Sequence, residues 1–237
     1  MEYSKGLEGV IAGETAISNV EGDIGRLSYR GYSIEELIGL DYVAVMWLVM
    51  FGEIPGAEEH ARLEKFLALH GDLYETESAM LERMPAGLHP MLMLQSMIPL
   101  ISTQEGSFED MSDEGSRGLK IIARLPALVA TYYRLTASGD KPVFDPGLSH
   151  LENFLTMFTG RLVPKEHAEI LGVVQILQME HSFNASTFVA RCVASTLAPV
   201  ESVLSAATGS LFGILHGGAD EAALNDAKKA GSPDAAE

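Results

Sequence analysis

Seven histidines are spread along the 237-residue chain, and two of them sit where a side chain can reach a ligand. His181 closes an amphipathic helical stretch and leads into Ser182-Phe183-Asn184-Ala185-Ser186-Thr187, where Asn184 or Ser186 can cap the next helix. His216 closes a stretch rich in small residues and leads into Gly217-Gly218, where a ligand could come close to backbone. An imidazole at a helix end beside a break can point into a cleft and donate or hold a proton near neutral pH. A plainer reading stands beside that one: a histidine at a helix C-terminus can do no more than interact with the helix dipole. The other five read as structural or surface residues. His60, His70 and His167 lie in charged helical surroundings, His89 precedes Pro90 at a helix entry, and His150 follows Ser149 at a helix start.

Other chemistries find no footing in the sequence. There is no HExxH and no paired Cys/His spacing for zinc, and no dinucleotide fingerprint, phosphate-binding P-loop or GxSxG pattern. These chemistries therefore fare worse than the two histidines as candidates. Thirty-three acidic residues against sixteen basic ones give a net charge of −17, which repels nucleic acid and anionic membranes. The single cysteine, Cys192, cannot form an intramolecular disulfide and suits a reducing compartment. The longest apolar run, Tyr42 to Phe51, is half the ~20 residues needed to span a bilayer, and the start MEYSKGLEGV has no signal-peptide pattern. A soluble, cytoplasmic protein is expected.

Positioning these histidines falls to an almost all-α chain. Residues of about 8–30 alternate around Gly, Asn and Asp, predicting a short N-terminal β-hairpin. Ser33 with Glu36 forms a capping box, after which helical patterns are predicted at 34–51, 56–70, 76–84, 89–103, 113–138, 149–160, 164–181, 186–198, 200–215 and 219–230. In 164–181, Ile170, Val173, Val174 and Leu177 form one apolar face, expected to point inward. The Met-rich stretch HPMLMLQSMIP reads as core. Gly209 and Gly213 each cost about 1 kcal/mol against alanine inside a helix, so a packing reason is expected. The helix 200–215 offers water little polar surface and is predicted to be buried, within a subunit or between subunits.

Five segments carry a resemblance. EGVIAGETAISNVEGDIGRLSYRGYSIEEL, LKIIARLPALVATYYR, LSHLENFLTMFTG, HSFNASTFVARCVASTL and GSLFGILHGGADEA are similar, in order, to bacterial and archaeal citrate synthases and 2-methylcitrate synthases. The resemblance implies a mainly α fold, with a large helical domain over 1–216 and the start of a small domain over 217–237. By the same resemblance, His216 is the catalytic histidine that donates a hydrogen bond to the enol of the acyl-CoA thioester. His181, 35 residues earlier, resembles an oxaloacetate-binding residue. Ser186 is a supporting residue that would orient His216, and Asn184 lies beside it. The implied substrates are oxaloacetate and an acyl-CoA, with CoA as part of the substrate rather than a cofactor, and the implied assembly is a homodimer to which 200–215 contributes. Two positions depart from the pattern: Asp220 stands where the family has Asn, and Ile214 where it often has Pro.

The family's second catalytic histidine, in a GHRxY-like motif, its catalytic aspartate and its carboxylate-clamping arginines come later than Glu237. Ser232-Pro233-Asp234 also reads as a helix start with barely one turn after it. A piece of a longer chain is therefore expected, without synthase activity alone. The alternatives are a 2-methylcitrate synthase taking propionyl-CoA, and a non-catalytic helical dimerisation or regulatory module.

Overall fold

The computed structural model describes residues 11–231 except 86, 104, 105 and 110, with backbone alone at 219–221, 227 and 230. The parts of the predicted hairpin before residue 11, the helix start at 232–234 and the side chain of Asp220 lie outside the described residues. Three short antiparallel strands open the chain: β1 (Ser18–Glu21), β2 (Arg26–Tyr29) and β3 (Tyr32–Ser33), in the order β1-β2-β3. Register pairs Ser18 with Tyr29 and Ser28 with Ser33. The strand holds Asn19, Val20 and Glu21, so the reversal is made by Gly22–Ile24 with Gly25 at φ 64°, a left-handed position that glycine takes without strain.

Helices account for the rest. The stretch read as 34–51 is two helices, α1 (Ile34–Leu37) and α2 (Tyr42–Phe51). The Ser33–Glu36 capping box is present, and Asp41 caps α2 by accepting from Val43 N. Next come α3 (Ala57–His70), α4 (Glu75–Glu82), α5 (Pro90–Met97) and the 25-residue α6 (Asp113–Ala137). As expected, His89 opens α5, its Nδ1 accepting from Met91 N. The chain continues with α7 (His150–Thr159), α8 (Lys165–Leu177), α9 (Ala185–Ala194), α10 (Val200–Leu211) and α11 (Gly218–Ala230).

The core is built around α6. One side packs Leu119 and Ala123 against Val43, Met46 and Trp47 of α2 and Leu63, Phe66 and Leu67 of α3. Another packs Ile121, Leu128 and Tyr132 against Leu81, Met93, Met97, Ile98 and Ile101, so the Met-rich stretch is core. Each such fully buried side chain contributes about 1.5–3 kcal/mol. Where α6 turns charge inward, the charge is paired. Arg124 and Glu77 form an ion pair at 3.3 Å with both side chains almost fully buried, and Arg124 also donates to the carbonyls of Asp72 and Ser102. His70 is buried against the Phe66 ring, not solvated as its charged neighbours suggested. It shares the inward face of α3 with Leu63, Phe66 and Leu67.

One apolar face lies differently from the sequence reading, and the burial expected of 200–215 is not met within one subunit. On α8 the buried residues are Ala168, Gly172 and Ile176, whereas Ile170, Val174 and Leu177 are exposed. Gly172 has only Leu151 and the Tyr42 Cβ near it, so the small side of the helix is the one that approaches its neighbours closely. On α10 the sole buried residue is Glu201, and the remainder of the helix is half-exposed in one copy of the chain. Among the described residues, no helix is long and apolar enough to cross a membrane.

Candidate functional site

Both candidate histidines stand in loops, one residue type after another fixing their backbones. Helix α8 ends at Leu177, four residues before His181. The turn that follows is held by the N-terminal sheet. The hydroxyl of Tyr29, a residue with no exposed surface, donates to Ile176 O at 2.8 Å and accepts from Glu180 N at 3.2 Å. Burial, foremost among its surroundings, pushes this phenol above its ordinary pKa and keeps it neutral, as a donor must be. The Glu180 carboxylate accepts from Ser18 Oγ at 2.9 Å and from Ser182 N at 2.6 Å. Ser182 takes φ 74°, an uncommon conformation for a side-chain-bearing residue, held by that contact. His181 is left exposed at the apex.

On the other side, α10 ends at Leu211 and a six-residue turn carries His216. His216 N donates to Gly213 O and Gly217 N to Leu211 O, both at 2.9 Å. A Cβ on Gly217 would collide with Leu211 O, so the close turn demands glycine there. Helix α10 itself is anchored at two points. At its start, Glu201 takes both Nη2 contacts of Arg117 at 2.6 Å and the Thr103 hydroxyl at 2.8 Å. Burial alone would raise this carboxyl, but hydrogen bonds from its own amide, Thr103 and Arg117 outweigh it and hold the pKa below the usual range. Near its end, Gly209 leaves room for the Gln95 side chain, and Ser205 Oγ donates to Gln95 O. Gly209 thus has its packing reason in the Gln95 side chain. Gly213 lies beyond the helix and meets only its own turn.

These two loops bring the histidines together. The rings of His181 and His216 lie 6.2 Å apart, edge to face at 76°. Ser186 Oγ is 2.9 Å from His216 Nε2 and donates to Asn184 Oδ1 at 2.7 Å. Of the two possible caps for α9, Asn184 is the one used, accepting from Thr187 N at 2.8 Å, which frees Ser186 to face His216. All four sequence-predicted residues therefore share one site. Sequence reasoning missed the residues that brace it, Tyr29, Ser18 and Glu180, because no local pattern marks a hydroxyl whose partner lies 147 positions away. Two imidazole rings beside a serine hydroxyl can exchange hydrogen bonds with carbonyl and carboxylate oxygens. Among the described residues, no group of three or more side chains is disposed to hold a metal ion.

Comparison with known proteins bears on what such a site does. Residues 6–237 match the family described as "Citrate synthase, C-terminal domain". A citrate synthase of Acidithiobacillus ferridurans is 36% identical over 232 residues, covering 92% of this chain and 59% of that protein. A 2-methylcitrate synthase of Shewanella oneidensis is 35% identical over 225 residues, with the same coverage of each. A solved structure of the citrate synthase from Thermoplasma acidophilum, in ternary complex with carboxymethyl coenzyme A and oxaloacetate, superposes with a TM-score of 0.86. It is 27% identical, with 98% of this chain and 62% of that one covered. The chain spans about three-fifths of the length of these relatives.

Proposed function

Because the chain belongs to the citrate synthase family, we propose that it supplies the two-histidine part of a site that condenses an acyl-CoA with oxaloacetate. The observation that carries this reading is the pairing of His181 and His216 at 6.2 Å, with Ser186 on the second ring. His216 donates a hydrogen bond to the thioester oxygen as a base draws a proton from the α-carbon and charge moves onto that oxygen. His181 donates to oxaloacetate and holds its ketone carbon for the new C–C bond. Hydrolysis of the resulting thioester releases CoA and the tricarboxylate. One donor of this kind, once aligned on the developing oxyanion, is worth about 3–4 kcal/mol of barrier. No metal or redox cofactor takes part, since enolisation and C–C bond formation here are electrostatic and acid–base steps.

The base and the cationic clamp for the carboxylates come from the portion of the relatives' length that this chain does not span. Residues 1–216 form the large helical domain, and 217–237 open the small one. The assembly is a cytoplasmic homodimer joined through α9 and α10. Helix α9 has no buried residue, and Leu197, Ile214 and Leu215 around these helices are 93%, 86% and 99% exposed, which supports a second copy covering this end.

The test extends this chain with the remaining segment of the Acidithiobacillus ferridurans relative and follows thiol release from acetyl-CoA with oxaloacetate. Release is expected from the extended protein, falling about 10²–10³-fold in His216→Ala, and none from residues 1–237 alone. Release by the short chain, or an unaffected His216→Ala variant, would contradict the assignment. Parallel rates with propionyl-CoA decide between citrate and 2-methylcitrate synthase, a discrimination worth about 1–3 kcal/mol for one methylene.

A further inference from the structure

The hydrogen bonds around His216 can be counted proton by proton. Asn184 Oδ1 receives Thr187 N–H at 2.8 Å, which identifies this atom as the carbonyl oxygen, because the amide nitrogen could not accept. Ser186 Oγ lies 2.7 Å from the same oxygen. Two oxygens at that distance need a proton between them, and a carbonyl has none to give. The single hydroxyl proton of Ser186 is therefore spent on Asn184. What remains on Ser186 Oγ is lone-pair capacity, and at 2.9 Å from His216 Nε2 it accepts.

We infer that Asn184, acting through Ser186, is a positioning residue that fixes neutral His216 as its Nε2–H tautomer and leaves Nδ1 a lone-pair nitrogen. Asn184 does this with an atom already pinned by a helix cap, so the tautomer is tied to the start of α9 rather than to a mobile side chain. Among the described residues Nδ1 has no hydrogen-bond partner, so it is the ring atom open to a ligand. The inference deepens the proposed donor role and rests on it for its consequence. To donate from Nδ1, the neutral ring needs its proton moved there from Nε2, and Ser186 must turn its own proton from Asn184 toward Nε2. Nε2 gives its proton to solvent water, Nδ1 takes one from solvent water, and the Ser186 proton changes acceptor, so protons and charge are conserved. Asn184 thereby holds the resting site in the non-donating form until a ligand oxygen at Nδ1 favours the exchange.

The experiment is long-range ¹⁵N–¹H NMR of the histidine rings in the 237-residue chain at about pH 9, well above the ordinary imidazole range. The His216 signals are assigned by their loss in His216→Gln. The wild-type ring is expected to show a pyrrole-type Nε2 and a pyridine-type Nδ1 without averaging. Ser186→Ala keeps the Asn184 cap and so keeps the fold, yet it is expected to move both nitrogens toward intermediate, averaged shifts. Asn184→Ala is expected to do the same, and Asn184→Asp, which retains an acceptor and a cap, to restore the wild-type pattern. A purely structural role for Asn184 moves the melting temperature and leaves the tautomer alone. The inference is overturned if the wild-type ring is Nδ1–H or already averaged, or if folded Ser186→Ala keeps the unaveraged pattern. No substrate is used, so this result and thiol release by the extended protein can fail independently.

Discussion

Removing one oxygen atom from Tyr29 tests whether the N-terminal sheet holds the His181 loop. In Tyr29→Phe the ring still fills its fully buried position, so no cavity opens for the carbon skeleton. The hydroxyl's two partners fare differently. Ile176 O keeps Met179 N at 3.3 Å, whereas Glu180 N loses the acceptor it had at 3.2 Å. Leaving one half-buried donor unpaired costs about 1–3 kcal/mol. For a chain of this length each kcal/mol lowers the melting temperature by about 2–4 °C, so a drop of about 4–8 °C is expected for a 2 kcal/mol loss. Thermal unfolding followed by circular dichroism measures it. Hydrogen exchange supplies the local readout: amides of 178–184 should exchange faster, while those of α6 should slow or quicken only with global stability. A melting point within about 1 °C of wild type, with unchanged exchange at 178–184, would refute the bracing role of the hydroxyl.

Three further outcomes follow from the packing. Burial lowers the His150 pKa from 6.5 to about 4, so the folded protein keeps this ring neutral while the unfolded chain protonates it. The stability that rests on the neutral ring is intact above pH 6.5 and lost progressively as pH falls toward 4, about 3 kcal/mol in all. Urea midpoints across that window should fall less steeply in His150→Phe. Gly217→Ala places a methyl against Leu211 O and should cost about 1–3 kcal/mol while breaking the Ser186–His216 contact, visible as a shifted His216 ring signal. Glu77→Gln leaves Arg124 charged and buried without its partner, and urea denaturation should report a loss of about 3–5 kcal/mol.

Much of this architecture was legible because it is encoded locally. Ser33–Glu36, His89, Ser149 and Asn184 announce helix starts through short-range chemistry that needs no tertiary context. Errors arose where two local signals compete. Asp41 caps a new helix inside a continuous apolar pattern, so 34–51 was read as one element. On α8, bulky apolar residues suggested the inward face, but close approach selected Ala168 and Gly172 instead. His70 was hidden by its charged neighbours, although its spacing from Leu63, Phe66 and Leu67 marks the buried face of α3. The candidate residues themselves were legible through resemblance. Their proximity was not, since it depends on two loops whose anchors, Tyr29 and the Arg117–Glu201 pair, act across long stretches of sequence.

The Tyr29 hydroxyl also sets a timetable. During synthesis at about 5–20 residues per second, Tyr29 emerges roughly 8–30 s before Glu180 does. For that interval the sheet formed by β1, β2 and β3 has only ten strand residues and an unfilled acceptor side. Sheets this small are marginal without a packing partner. The sheet is therefore made well before it can lock, and the His181 loop acquires its shape when that earlier segment finally closes on it.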